Sequence, residues 1–328
     1  MKLTNESEQG LTFLKKMAKT THFERAIFLS WYCSRGDCKF CYMSTQKPRI
    51  KNPKLAKRKK ESILAEALIC KKCGWKVEFL SGGYESYDLD ELVELTKQIY
   101  KITKQKQWLN IGVLNKEELN KFKPYIKGVC GAVECINPKL HDKLCPSKPI
   151  NEITNMFKIC NSLKLKKAIT IIIGLGETEK DIPFLINFIK KYKISRITFY
   201  ALNPHKGTIF KKGPKTEYYI KWISAIRKEF PNLFIIAGSW VNRLKEISQL
   251  LDAGADTITK FPSIKLFNTK FAKQIENQAK LANRKFIGTL TKLPKINWNK
   301  EVDKLRLENK QKIKIKLDQY IKIMLKNS

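Results

Sequence analysis

The sequence predicts an α/β fold, a (β/α)8 barrel of the TIM type, with a short N-terminal helix and a helical extension at the C-terminus. Three observations predict it. Eight short apolar runs alternate with helical stretches, joined by short loops. The runs are apolar nearly throughout instead of alternating, as in parallel strands covered on both faces. The chemically unusual residues, clustered cysteines, paired glycines and an Asn-Pro step, follow the ends of those runs. In such a barrel these ends form one face, where the chemistry sits. The chain has 328 residues, and the expected division is a helical lead-in over 1–25, a barrel over 26–290 and a basic amphipathic extension over 291–328.

Composition narrows the partners. The net charge of +35 invites a nucleic-acid reading. The basic residues are mostly lysine, spread through nearly every predicted helix as on solvated faces. Arginine, suited to bidentate contacts with phosphate and guanine, is scarce. A basic surface set by lysine-rich composition is therefore favoured, and nucleic acid stays open as a partner. No stretch approaches the ~18 consecutive apolar residues of a membrane span. Residues 1–10 are polar and lack the apolar core of a signal peptide. A cytoplasmic protein without a membrane partner is expected, and its nine cysteines point to metal or redox chemistry rather than disulfides.

Leu11, Leu14 and Met17 have helical spacing, with His22 at the end of that lead-in as a surface or packing residue. The first strand, 26–29, runs straight into Ser30-Trp31-Tyr32-Cys33-Ser34-Arg35-Gly36-Asp37-Cys38-Lys39-Phe40-Cys41-Tyr42. Soft thiolates at such close spacing suit zinc or an iron–sulfur cluster. A structural zinc site or an electron-transfer cluster wants four protein ligands, so three leave one iron of a four-iron cluster open. A basic loop over 47–60 leads into a helix with the stripe Ile63, Leu64, Ala67 and Leu68, ending near Gly74. Cys70 and Cys73 near that helix end read as packing residues, with a second metal or cluster site as the alternative. The second strand, 77–80, ends in Ser81-Gly82-Gly83-Tyr84-Glu85, where paired glycines let a ligand approach the backbone.

The remaining strands are expected at 108–114, 131–136, 168–173, 194–202, 233–237 and 257–261, with helices at 116–122, 150–163, 179–192, 217–228, 244–251 and 271–281. Thr178 and Asp181 form a capping-box pattern. The fourth strand ends in Glu134-Cys135-Ile136-Asn137-Pro138; a carboxylate there can accept hydrogen bonds from a ribose. His141, Cys145 and His205 read as incidental or solvated, and Arg243 as either an anion contact or a helix-start salt bridge. The pair Gly174 and Gly176 also describes an ordinary turn. Ile313, Leu317, Ile321, Met324 and Leu325 form the stripe of a C-terminal helix, expected on the barrel base or a second subunit, with RNA or a membrane surface as rivals.

The cysteine loop resembles the radical S-adenosylmethionine (SAM) superfamily, whose usual motif is Cys-x3-Cys-x2-Cys with an aromatic residue before the last cysteine. Phe40 is that aromatic, and the first gap holds one residue more, which Gly36 can absorb. The resemblance covers about residues 26–262. It implies that Cys33, Cys38 and Cys41 hold a [4Fe-4S] cluster with SAM on its open iron. One electron then splits the sulfonium into a 5′-deoxyadenosyl radical. Phe40, Ser81, Gly82, Gly83, Glu134, Asn137 and Leu202 are the positions implied to line SAM, Leu202 through its backbone. The branch it is similar to contains biotin synthase, HydE and PylB. The altered first gap looks like the HmdB (HcgA) group of methanogens, implicated in making the iron–guanylylpyridinol cofactor of [Fe]-hydrogenase. A small-molecule substrate and an electron donor of ferredoxin or flavodoxin type follow from the resemblance. The alternatives are a radical SAM enzyme modifying tRNA or other RNA, and a non-enzymatic zinc or iron–sulfur binding protein.

Overall fold

The structure, a computed structural model, describes residues 20–326. A short strand, β1 (Thr20–His22), precedes eight parallel strands hydrogen-bonded in chain order: β2 (Glu24–Phe28), β3 (Lys76–Ser81), β4 (Gln107–Asn110), β5 (Ile126–Glu134), β6 (Lys166–Ile173), β7 (Arg196–Ala201), β8 (Phe234–Gly238) and β9 (Thr257–Thr259). A parallel bridge between Phe23 and Ile258 joins the two edges and closes the ring. β1 pairs in parallel with β10 (Lys285–Ile287) in a separate ribbon.

The apolar runs form strands because both of their faces are covered. Every residue of β7 is buried. Its register with β6 is unbroken from Ala168 opposite Arg196 to Ile173 opposite Ala201. Outward side chains such as Leu80, Ile169 and Ile197 pack in the main core, while Phe79, Trp108, Cys130, Ala168 and Tyr200 form a second cluster. Three register shifts interrupt the pairing, one of them between Gln107 and Trp108 of β4, and the other two adjust what reaches the interior. Arg25 faces Val77 but Ile27 faces Leu80, so β3 carries one extra residue there. Phe79 thereby joins the second cluster, while Glu78 still reaches the hydroxyl of Tyr200 in that cluster. A second shift separates Gly131 from Glu134 on β5. Bulges of this kind re-aim side chains next to functional sites.

Several elements depart from expectation. The helical lead-in over 1–19 lies outside the described residues, but Thr20–His22 is a strand, and β2 begins at Glu24 because Glu24 pairs with Lys76 of β3. β4 stops at Asn110, since Gly112 adopts φ +103° and turns the chain away. β5 starts at Ile126, where pairing with β4 and β6 carries the strand through polar Lys127. The capping box of Thr178 and Asp181 is present.

The C-terminal helix Lys310–Leu325 packs on the barrel-flanking helix Lys60–Cys73, not on the base. It buries Ile313, Leu317, Ile321 and Met324, while Leu325 is exposed. Each such burial contributes about 1.5–3 kcal/mol. The Tyr320 hydroxyl lies 2.6 Å from Ser62 Oγ and accepts from Arg58 Nη2 at 3.1 Å. The apolar stripe is therefore covered by the chain's own helix.

Candidate active site at the barrel mouth

The C-terminal ends of the strands surround a cleft of about 310 Å³. The cysteine loop forms one wall and is fixed from several sides. Lys47 donates to the carbonyls of Ser34 and Arg35. Arg35 donates to the Ser147 carbonyl at 2.7 Å, pairs with Glu152 at 2.6 Å and stacks 3.9 Å from the Tyr84 ring centroid. Ser44 Oγ donates to the carbonyls of Cys38 and Cys41 at 2.7 and 2.5 Å. Gly36 takes φ +38°, absorbing the longer first gap, and its N–H points at Cys33 Sγ from 3.4 Å.

Gly83 is required by close approach. A Cβ there would run into Cys33 Cβ and the Tyr32 carbonyl oxygen. The loop after β3 and the cysteine loop are thus pressed together, and Ser34 N donates to the Tyr84 carbonyl at 3.1 Å.

Cys33, Cys38, Cys41, Phe40, Ser81, Gly82, Gly83, Glu134 and Leu202 all line this one cleft. Asn137 does not. Its Oδ1 accepts from Leu140 N at 3.1 Å, capping the helix Pro138–Leu144, and its Nδ2 donates to Asp181 at 2.9 Å. The Asn-Pro step is a helix start, with proline at the first helical position. Phe40 packs with Cys145, Leu175 and Leu202 in an apolar cluster beside the loop.

Sequence reasoning missed Lys148. Its ammonium is buried and stands 3.8 Å from Glu134 Oε1. Burial alone would lower its pKa, but Glu134, Cys38 and Cys145 hold it charged, and the net shift is upward. His141 positions this lysine. Its Nε2 faces the Lys148 carbonyl at 2.7 Å and its Nδ1 the Val133 carbonyl at 2.9 Å. Glu134 itself has φ +61°, a left-handed conformation that costs a non-glycine residue about 1–3 kcal/mol. One more lysine in a lysine-rich chain carries no signal of its own, so only the fold reveals Lys148.

The thiols suit a metal cluster. The neighbouring Cys145 thiol, with help from Lys148, lowers the Cys38 thiol against the effect of burial. Burial, with Cys38 adding, pushes Cys41 up to about 11. A coordinated metal deprotonates such a thiol outright. Cys70 and Cys73 lie elsewhere, buried in the core, and burial raises both, Cys73 to about 12. That is the behaviour of packing cysteines. Arg243 forms the salt bridge, pairing with Glu246 at 2.6 Å. His205 does face the cleft, between the rings of Tyr42 and Trp240.

The sequence pattern described as the Radical SAM superfamily matches residues 29–189. An uncharacterized protein of Methanocaldococcus jannaschii is 43% identical over 293 residues, covering 88% of this chain and 81% of its own length. The chain belongs to the radical SAM superfamily. Biotin synthase of Methanococcus aeolicus is 26% identical over 182 residues, 55% of each chain. The solved structure of methylornithine synthase (PylB) shares the barrel with a TM-score of 0.64 at 18% identity, over 79% of both chains. Radical SAM proteins are enzymes that use a [4Fe-4S] cluster and SAM and need an electron donor. No helix among the described residues is long and apolar enough to cross a membrane.

Proposed function

We propose that this radical SAM enzyme holds its cluster through Cys33, Cys38 and Cys41, binds SAM across Phe40, Ser81, Gly82, Gly83, Glu134 and Leu202, and acts in the biosynthesis of a cofactor. The observation that carries the reading is one shared cleft wall. Three thiols, a glycine pair and the Lys148–Glu134 pair meet there. Bound at that wall, the cluster and SAM supply an electron and a 5′-deoxyadenosyl radical. The protein's own part is binding and shielding. Lys148 offers a buried positive charge to the SAM carboxylate, a charge-assisted contact worth about 1.5–3 kcal/mol. Glu134 accepts hydrogen bonds from the ribose. Phe40 and Leu202 give an apolar wall that keeps water from the reacting carbon.

The zinc alternative asks for several donors on one ion. Among the described residues no three His, Cys, Asp or Glu side chains converge that closely. A four-iron cluster gives each cysteine a separate iron, so three thiols spaced around a cleft support it. The biotin synthase likeness favours cofactor biosynthesis as the setting. The lengthened first cysteine gap supports the finer reading, synthesis of the iron–guanylylpyridinol cofactor. The basic stretch 47–60 beside the cysteine loop suits an acidic electron donor of ferredoxin or flavodoxin type. Nine unpaired cysteines fit a reducing cytoplasm.

The test is spectroscopic. Anaerobically reconstituted, dithionite-reduced protein should show the paramagnetic resonance of a reduced four-iron cluster, and SAM should shift it. Each of Cys33→Ala, Cys38→Ala and Cys41→Ala should lose that signal. A signal indifferent to SAM, or tight uptake of zinc in place of iron, defeats the reading.

A further inference from the structure

The cleft is also lined by two polar groups, Thr170 and Lys260, that stand outside the positions assigned to the cluster and SAM. Thr170, on β6, is 1% exposed and lines the cleft. Its Oγ1 is a buried atom with no hydrogen-bond partner, and of the atoms so placed among the described residues it alone belongs to a cleft-lining residue. An unsatisfied buried hydroxyl is a standing cost to the folded state. Lys260, just after β9, is the second. Its φ of +73° is left-handed, a strained conformation for a residue with a side chain.

That turn hangs the ammonium over an aromatic frame. Lys260 Nζ lies 4.5 Å from the Tyr200 ring centroid and 5.6 Å from that of Trp240. Cation–π contact fixes a charge in place without neutralising it. Among the described residues Lys260 makes no ion pair and no hydrogen bond. The interior acid Glu78 does not pair with it. One Glu78 oxygen accepts from Tyr200 Oη at 2.7 Å and the other from Thr259 Oγ1 at 2.5 Å. The rim above is aromatic, with Tyr42 and His205 5.5 Å apart and His205 and Trp240 6.1 Å apart.

We propose that this inner part of the cleft is a substrate subsite for an anionic, ring-bearing small molecule, with Lys260 taking its carboxylate or phosphate, Thr170 bonding a polar atom, and the Tyr42–His205–Trp240 wall facing the ring. The subsite deepens the enzyme reading above and rests on it for the reaction, though its binding can be measured apart from turnover. The positive charge selects the anion, the orphan hydroxyl orients it, and the aromatic wall favours a flat body over an aliphatic one.

The test uses salicylate, whose emission reports its uptake, and neutral salicylamide as its partner probe. Both are titrated into the full-length protein at about 0.15 M salt, where scattered surface lysines are screened. Salicylate should bind saturably, at least tenfold more weakly to Lys260→Gln, and near the parent affinity to Lys260→Arg. Thr170→Val should weaken it about threefold while leaving or raising the melting temperature, because the variant removes an unsatisfied hydroxyl. Salicylamide should not distinguish parent from Lys260→Gln. No saturable uptake, equal binding of both probes, or indifference to Lys260→Gln overturns the subsite. SAM cleavage by the parent, assayed in the same preparation, separates the two claims. Cleavage without anion discrimination removes the subsite alone, and anion discrimination with neither SAM binding nor cleavage removes the radical reading alone.

Discussion

At the base of the barrel Glu24 meets Arg196 at 2.5 Å, with His22 at 3.2 Å and the guanidinium 5.2 Å from the Trp108 ring. At the mouth Lys148 stands 3.8 Å from Glu134, Lys260 rests on the Tyr200 and Trp240 rings without an ion pair or hydrogen bond among the described residues, and Thr170 Oγ1 is orphaned. Both ends bury charge. The base satisfies it, and the mouth leaves it waiting. A buried charge with a full set of partners holds a fold in one state, whereas one held by strained backbone with capacity to spare is poised for a ligand. Of the nine left-handed non-glycine residues among the described residues, Glu134 and Lys260 line the cleft. Stability is concentrated at one end of the strands and chemistry at the other, the division that the fold allows.

The largest expected effect breaks the mouth alone. Replacing Cys33, Cys38 or Cys41 by Ala should abolish SAM cleavage while the melting temperature of the apoprotein stays within a few degrees. A cysteine variant that still cleaves SAM would erase the assignment of the mouth. Next, Lys148→Met should raise the KM for SAM about tenfold to a hundredfold, the equivalent of one charge-assisted contact. An unchanged KM with a fall only in stability would make Lys148 a base-like, structural charge.

At the base the signs reverse. Arg196→Met strands the Glu24 carboxylate and should cost about 3–5 kcal/mol in urea unfolding. SAM cleavage per folded molecule should hold. Burial raises the Glu24 carboxyl, but Arg196 and His22 outweigh it and hold it below the ordinary carboxylate value. Its contribution to stability is therefore present above that ordinary value and lost as pH falls through the lowered one. The variant should lack this acid-side loss.

The smallest effect sharpens the contrast inside the barrel. Burial raises the Glu78 carboxyl, against the pull of Lys260 and the hydroxyls of Thr259 and Tyr200. A raised carboxyl weakens the folded state progressively as pH rises from the ordinary value, and fully once pH exceeds the raised one. Glu78→Gln should be more stable than the parent near neutral pH, a gain that shrinks as pH falls through the raised value and is gone at the ordinary one. A loss of stability at pH 7 would place Glu78 with the satisfied charges of the base.

Much of this was legible in the sequence, and the reasons differ by region. The strands announced themselves because parallel strands are apolar on both faces, and the cysteine and glycine loops because few other chemistries need those residues at that spacing. Asn137 was misread because a helix cap and a ligand use the same amide. β5 was cut short because Lys127 breaks an apolar run that strand pairing carries through. Lys148, Lys260 and Thr170 were invisible. Their meaning lies in burial, strain and an absent partner, which a chain rich in lysine does not spell out.

The most direct measurement compares the two ends in one reaction. Parent, Cys38→Ala and Arg196→Met proteins are reconstituted anaerobically with iron and sulfide, reduced, and given SAM, and 5′-deoxyadenosine is quantified by mass spectrometry. Product from the parent and from folded Arg196→Met, with none from Cys38→Ala, is the expected result. Product from Cys38→Ala, or a parent that forms its four-iron cluster and shows neither SAM binding nor cleavage, would contradict the division of labour between mouth and base.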